Sequence, residues 1–207
     1  MKIIYRGAES IIYLDEFEGE EVILKERIKK GYRIEQIDKE LRKVRTRKEV
    51  KLLTEARKVG VLTPRILHVD YVNYKIIMES IAGKRIKELL NEVDEKTITR
   101  ICLEIGRAIG KLHARGIVHG DLTTSNMILK DDEIYFIDFG LGDFSSRIED
   151  QGVDLNLLYE ALRSTHFKIL NFCWSRIVEG YKKEYQKAGE VLKKIEEIEK
   201  RARYMER

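Results

Sequence analysis

His119-Gly120-Asp121-Leu122-Thr123-Thr124-Ser125-Asn126 and Ile137-Asp138-Phe139-Gly140 set two carboxylates and a carboxamide in a defined order along the chain. Asp121 follows a helix with a long apolar stripe. Asn126 comes five residues later, and Asp138 another twelve residues on, at the end of a short strand. Phosphoryl transfer uses these parts. One Asp accepts or orients the proton of the attacking group, while an Asn and a second Asp offer hard oxygen ligands to Mg²⁺ bridging the phosphates. Each segment alone also fits a polar turn, where Asp and Asn are ordinary. Their order and spacing together point to chemistry.

Upstream, residues 2–28 predict strands: Ile3-Ile4-Tyr5, the turn Arg6-Gly7-Ala8-Glu9, Ser10–Phe17, a hairpin turn at Glu18-Gly19-Glu20, then Val22-Ile23-Leu24. A helix over roughly 36–59 follows, stopped by Gly60 and Pro64. Ile66–Tyr71 and Tyr74–Met78 predict two more strands around Val72-Asn73. Gly83 breaks the chain, and a short helix covers about 85–91. Asp94 then caps a helix whose Ile98, Ile101, Cys102, Ile105, Ala108, Ile109 and Leu112 recur at helical spacing. Met127–Leu129 and Ile134–Ile137 predict short strands, and about 150–204 is helical. Five strands with one helix, then a helical half, make two lobes with a hinge near 79–83. A cleft between lobes is a common ligand site.

Composition sets the class. The 207 residues are 43% hydrophobic, which excludes a disordered chain, and a net charge of +4 excludes a uniformly basic nucleic-acid coat. The charge is uneven: Lys25 to Lys51 holds 12 Lys/Arg against 5 Asp/Glu, an excess of seven that either meets RNA phosphates or is simply solvated. Cys102 and Cys173 lack metal spacing and fit reduced, buried thiols. Nothing near Met1 resembles a signal peptide, and no apolar run approaches membrane-spanning length. The expectation is a cytoplasmic protein with no membrane partner.

The two chemistry-bearing segments resemble the catalytic loop and metal-binding loop of the protein-kinase superfamily. The resemblance implies an α+β, compact bilobal kinase-like fold: a single domain over 1–207, with an N-lobe at 1–79 built on a five-stranded antiparallel sheet and one main helix. A small helical C-lobe at 80–207 ends in a basic tail, 200–207. It implies Asp121 as catalytic base, with Asn126 and Asp138 as ligands of Mg²⁺ or Mn²⁺. His119 is then a packed, hydrogen-bonded loop residue. Lys25 closes Val22-Ile23-Leu24-Lys25 in the position of the kinase lysine.

The partner Glu follows from helix geometry. At about 100° per residue with Glu49 at the origin, Leu53 lies at about +40°, Ala56 at about −20°, Leu52 at about −60° and Glu55 at about −120°. Glu49 thus faces the core, where a carboxylate needs a cation, and Glu55 falls on the solvated side. Gly7-Ala8-Glu9-Ser10 replaces the usual three-glycine loop and is expected to cover the ATP phosphates. Met78-Glu79-Ser80-Ile81 is expected to be the hinge, with Glu79 and Ile81 offering backbone groups to adenine. Two departures matter: no Arg precedes Asp121, and only about a dozen residues separate Asp138 from the next helix at Glu149-Asp150, too few for a peptide-docking platform. Asp154 fits either a brace for the catalytic loop or an ordinary helix-terminal carboxylate.

Further strings narrow the resemblance: Lys29-Lys30-Gly31-Tyr32-Arg33, Arg45-Thr46-Arg47-Lys48-Glu49, Gly60-Val61-Leu62-Thr63-Pro64, Asp138-Phe139-Gly140-Leu141-Gly142 and Arg163-Ser164-Thr165-His166. With the short activation segment, they resemble the small atypical kinase subunit of the KEOPS complex over essentially the whole chain. That resemblance implies an ATP-dependent kinase/ATPase supporting a threonylcarbamoyltransferase subunit, which forms threonylcarbamoyl-adenosine at position 37 of ANN-decoding tRNAs. It also implies Ser/Thr autokinase activity alone, a small bridging subunit as a further partner, and tRNA contact through Lys200, Arg201 and Arg203. On the residues alone a frayed, solvated helix end is the slightly better reading of those three, and the resemblance is what favours RNA contact. The alternatives are a stand-alone RIO-like Ser/Thr kinase, disfavoured by Phe139-Gly140, an aminoglycoside-type phosphotransferase, and a non-catalytic scaffold.

Overall fold

Glu18 and Gly19 both adopt left-handed backbone, φ 54° and 83°, and close a two-residue hairpin between β2 (Ser10–Phe17) and β3 (Glu20–Arg27). The computed structural model describes the backbone of residues 1–205 and the side chains of residues 1–198. The side chains of Lys200, Arg201 and Arg203, expected to meet tRNA, lie outside the described residues. β1 (Lys2–Arg6) pairs with β2. After α1 (Glu35–Lys58), β4 (Ile66–Asp70) and β5 (Lys75–Glu79) complete an antiparallel sheet in the order β1-β2-β3-β5-β4. The expected sheet and its single main helix are therefore present, with boundaries within a residue or so except at β3, which begins two residues earlier and ends three later than Val22–Leu24. The two-residue strand period puts Val22 and Leu24 on one face of β3, and Lys25 and Arg27 on the other.

The chain then enters β6 (Lys84–Arg85), a single turn α2 (Ile86–Leu89), α3 (Glu95–Ala114) and β7 (Ile117–Val118). A 3₁₀ turn at Thr124–Asn126 leads to β8 (Met127–Lys130), β9 (Glu133–Phe136) and β10 (Asp143–Phe144). The rest is helical: α4 (Ile148–Thr165), a 3₁₀ turn at Phe167–Ile169, α5 (Leu170–Glu184) and α6 (Ala188–Met205). β8 and β9 are the two short strands expected here, whereas the two-residue strands β6, β7 and β10, which complete the sheets β6-β8-β9 and β7-β10, were not expected. Two-residue strands carry no periodicity, and their pairing is imposed by the surrounding core. They hold the two ends of the loops that carry Asp121 and Asp138.

The helical core packs α3 against α5, burying Ile101, Ile105 and Ile109 with Ile177 and Tyr181. Cys102 and Cys173 are buried there as free thiols, as expected. Among the described residues no helix is long and apolar enough to cross a membrane. Asp94 caps α3 by accepting from the Thr97 N–H at 2.7 Å. Asp94→Ala is expected to cost about 1 kcal/mol, read as a lower urea midpoint at unchanged slope.

Candidate active site

The site is built where β3, α1 and the two loops meet. Period two on β3 and period 3.6 on α1 bring Lys25 and Glu49 together: Lys25 Nζ donates to Glu49 Oε1 at 2.6 Å. Glu49 is 1% exposed and belongs to the buried face of α1 with Leu52, Leu53 and Ala56, as the helical angles predict. Glu55, expected to be solvated, is partly buried and pairs with Lys58 and Arg115. Lys25 Nζ also donates to Asp138 Oδ1 at 2.7 Å. Burial pulls the Lys25 pKa down, but Glu49 and Asp138 more than reverse this and hold it above its ordinary value.

Asp138 sits in left-handed backbone, φ 61°, which Asp tolerates better than most side chains. Its Oδ1 also accepts from the Gly140 N–H at 3.2 Å, so Oδ2 is the oxygen left for a cation. Burial pushes the Asp138 carboxyl up, yet the charge and hydrogen bond of Lys25 hold it below the usual value. A Cβ on Gly140 would lie 2.9 Å from Asp138 Oδ1 and 3.1 Å from Lys25 Nζ, so glycine leaves room for the ion pair.

Asn126 Nδ2 donates to both Asp121 O (2.9 Å) and Asp121 Oδ2 (2.8 Å). That fixes the Asp121 carboxylate and leaves the Asn126 amide oxygen available. His119 joins this loop to the next. Its Nε2 meets the Ile137 carbonyl at 3.1 Å, and its Nδ1 accepts from the Asp121 N–H at 3.3 Å. A carbonyl only accepts, so Nε2 carries the proton. Burial, the largest influence, holds the imidazole below its ordinary pKa and therefore neutral.

Gly120 explains the missing Arg. It has φ 79°, and a Cβ there would strike the Leu141 carbonyl and lie 2.9 Å from Gly142 N. The two loops touch backbone to backbone at this point. Asp154 resolves toward the brace: Oδ2 accepts from the His119 N–H (2.7 Å) and Oδ1 from the Gly120 N–H (2.8 Å). His113 at the end of α3 supports it with Nε2 at 3.2 Å.

Between β1 and β2, Gly7 N donates to Ser10 O at 2.9 Å, forming a tight turn with Ala8 and Glu9. The Glu9 carboxylate faces Arg33 (2.9 Å) and Arg45, tying this turn to α1. Glu79 ends β5, its carboxylate on Arg65, and Ile81 lies just beyond in the link to the helical half. Sequence reasoning missed His113 and Arg27. Arg27 Nη2 donates to Glu49 Oε2 at 2.5 Å, and the period-two alternation that placed Lys25 could have found it. His113 had no such signal, because its partner lies 41 residues away.

Asn126 and Asp138 are the oxygen donors available for a cation. Among the described residues no group of three His, Cys, Asp or Glu forms a protein-only metal cage. A carboxylate and an amide oxygen are hard donors of the kind that fit Mg²⁺, which is commonly held by one or two carboxylates plus substrate phosphates.

The RIO domain family matches residues 15–141, more than half of the chain and the whole stretch from Lys25 to Gly140. The sequence had set RIO-type proteins second because of Phe139-Gly140, yet their family model does match. "KEOPS complex subunit Bud32" from Pyrococcus abyssi is 50% identical over all of this chain and 98% of its own. A "probable bifunctional tRNA threonylcarbamoyladenosine biosynthesis protein" from Methanothermobacter thermautotrophicus is 45% identical over 98% of this chain. The match covers 36% of that relative, so the chain spans about a third of the bifunctional protein. Among solved structures, WaaP in complex with acyl carrier protein superposes with a TM-score of 0.70 over 97% of this chain and 88% of its own. At 13% identity, this likeness concerns the fold alone.

Proposed function

Since this chain belongs to the RIO domain family and, by identity along its whole length, to the family of KEOPS complex subunit Bud32, we propose that it is the ATP-dependent kinase/ATPase subunit of a KEOPS complex. It acts beside a threonylcarbamoyltransferase subunit and a small bridging subunit in making threonylcarbamoyl-adenosine in tRNA. The observation that carries this reading is the set of contacts among the side chains of β3, α1 and the two loops. Lys25 bridges Glu49 and Asp138, and Asn126 fixes Asp121.

The roles follow from the contacts. Lys25 holds the phosphates and Glu49 orients Lys25. Asp138 and Asn126 would hold Mg²⁺, which when bound neutralises phosphate charge. Asp121, free of any cationic partner in the contacts above, accepts or orients the proton of a Ser/Thr hydroxyl or of water. The turn at Gly7, Ala8, Glu9 and Ser10 covers the phosphates, and the chain around Glu79 and Ile81 borders the adenine. The lobes divide at 79/80, where β5 ends. Lys200, Arg201 and Arg203 contact tRNA, and the complex works in the cytoplasm.

The test is ATP turnover with Mg²⁺ in a reconstituted complex. Asp121→Asn keeps the shape and the Asn126 contact but cannot take a proton. Turnover is expected to fall about 10²- to 10⁴-fold at unchanged melting temperature. Normal tRNA modification with this variant would sink the reading. Strong phosphorylation of a separate protein without any partner would instead favour the stand-alone kinase.

A further inference from the structure

Two cations meet Glu49. Lys25 takes Oε1, and Arg27 takes Oε2. We propose that Arg27 is a positioning residue that serves as the standing counter-ion of Glu49, leaving Lys25 free to give its charge to nucleotide phosphates. This rests on the reading of Lys25 and Glu49 given above.

The need arises from burial. Glu49 is 1% exposed, so water cannot compensate its charge. Lys25 divides its ammonium between Glu49 and Asp138, and a bound nucleotide adds a third claimant. An ammonium is a point charge whose attraction is shared among its partners, whereas a guanidinium is a planar fork held in one orientation. With Lys25 alone, Glu49 Oε2 would be a buried, unpaired carboxylate oxygen, an expensive state.

Arg27 is well placed to prevent that. It is 5% exposed, and its backbone N–H is anchored on Tyr74 O at 3.1 Å. In the sheet it lies opposite Ser10, at the edge of the phosphate-covering turn. A Cβ on Gly140 would lie 3.5 Å from its Nη2, so the guanidinium also borders the metal-binding loop. One residue of the strand thus holds the helix and lies beside the loop that must stay in register with it. Its buried Nε has no hydrogen-bond partner among the described residues. A core selected for stability alone would avoid that cost. Lys25 and Arg27 against Glu49 and Asp138 make a balanced set, and removing Arg27 leaves Lys25 to serve both carboxylates.

Arg27→Met keeps the aliphatic stem and removes the charge, while Arg27→Lys keeps the charge. Calorimetry with Mg-ATP and steady-state ATP turnover are measured on the full chain with its transferase partner. Arg27→Met is expected to raise Kd and KM for ATP about tenfold, with a much smaller change in kcat. Arg27→Lys is expected to stay within about threefold of the parent, and Arg27→Met is expected to have no further effect in a Glu49→Gln background. If Arg27→Met does not fold, the neutral Arg27→Gln takes its place. Parental affinity in the neutral variant overturns the inference. So does equal impairment by Lys and Met, or an undiminished effect in the Glu49→Gln background. Absence of Mg-ATP binding by the unsubstituted chain is a separate result, which overturns the functional reading itself and this inference with it.

Discussion

Asp138→Asn is expected to lower Mg²⁺-dependent ATP turnover by about 10²- to 10³-fold while the chain stays folded, because it deletes the negative charge that the proposed function assigns to Mg²⁺ beside the ATP phosphates. Asn is the right probe. Residue 138 has φ 61°, and Asn is among the few side chains that tolerate left-handed backbone. Its amide oxygen can still accept from Lys25 and the Gly140 N–H. What disappears is the negative charge, so Lys25 and Arg27 then face Glu49 alone.

The same substitution changes the response to acid. Burial raises the Asp138 carboxyl, but Lys25 and the Gly140 N–H carry it below its ordinary value. A depressed carboxylate contributes stability that is present above its unfolded pKa and lost as the pH falls through the folded one. The parent should therefore lose more stability than Asp138→Asn on going from neutral to acid pH. The side chain is 38% exposed, so solvent screens part of the effect. Urea midpoints at both pH values, with turnover measured against Mg²⁺ concentration, check the two halves. Unchanged Mg²⁺-dependent turnover would remove Asp138 from the site.

Gly106→Ala is expected to destabilise the chain by about 3 kcal/mol or more, although Ala is the better helix former by about 1 kcal/mol. A Cβ at Gly106 on α3 would strike the Ile177 carbonyl and lie 2.8 Å from Tyr181 N. A Cβ at Gly180 on α5 would strike the Leu103 carbonyl and lie 3.0 Å from Arg107 N. The two glycines interlock, and each faces backbone, which cannot rotate away as a side chain can. The helices must therefore separate, at the expense of the Ile101, Ile105 and Ile177 packing. A fall in melting temperature of roughly 10 °C would match that cost in a chain of this size. A variant melting within a degree or two of the parent would mean the crossing is looser than described. The site should feel the change, because α3 carries His113, which braces Asp154 beneath residues 119 and 120.

Much of the site was legible because its determinants are local. The spacing of Asp121, Asn126 and Asp138 lies within one stretch of chain. Lys25 was placed by its strand and Glu49 by the angle it makes with Leu52, Leu53 and Ala56. The hairpin at Glu18-Gly19 and the cap at Asp94 are likewise short-range chemistry. Arg27 was equally available from strand alternation, but only Lys25 carried a motif to draw attention to it. Asp154 stayed open, since a first-turn carboxylate and a loop brace look alike until the loop is folded against the helix.

The sequence by itself determined the five strands and main helix, the helical second half, and the meeting of Lys25 with Glu49, because repeating periods and close spacings are written along the chain. Only the tertiary structure decided the two-residue strands that pin the loops, the Gly106–Gly180 crossing, the His113–Asp154 brace, and the two cations on Glu49. Each of these depends on a contact between distant segments, whose worth is set by burial and exclusion of water once the whole chain has closed.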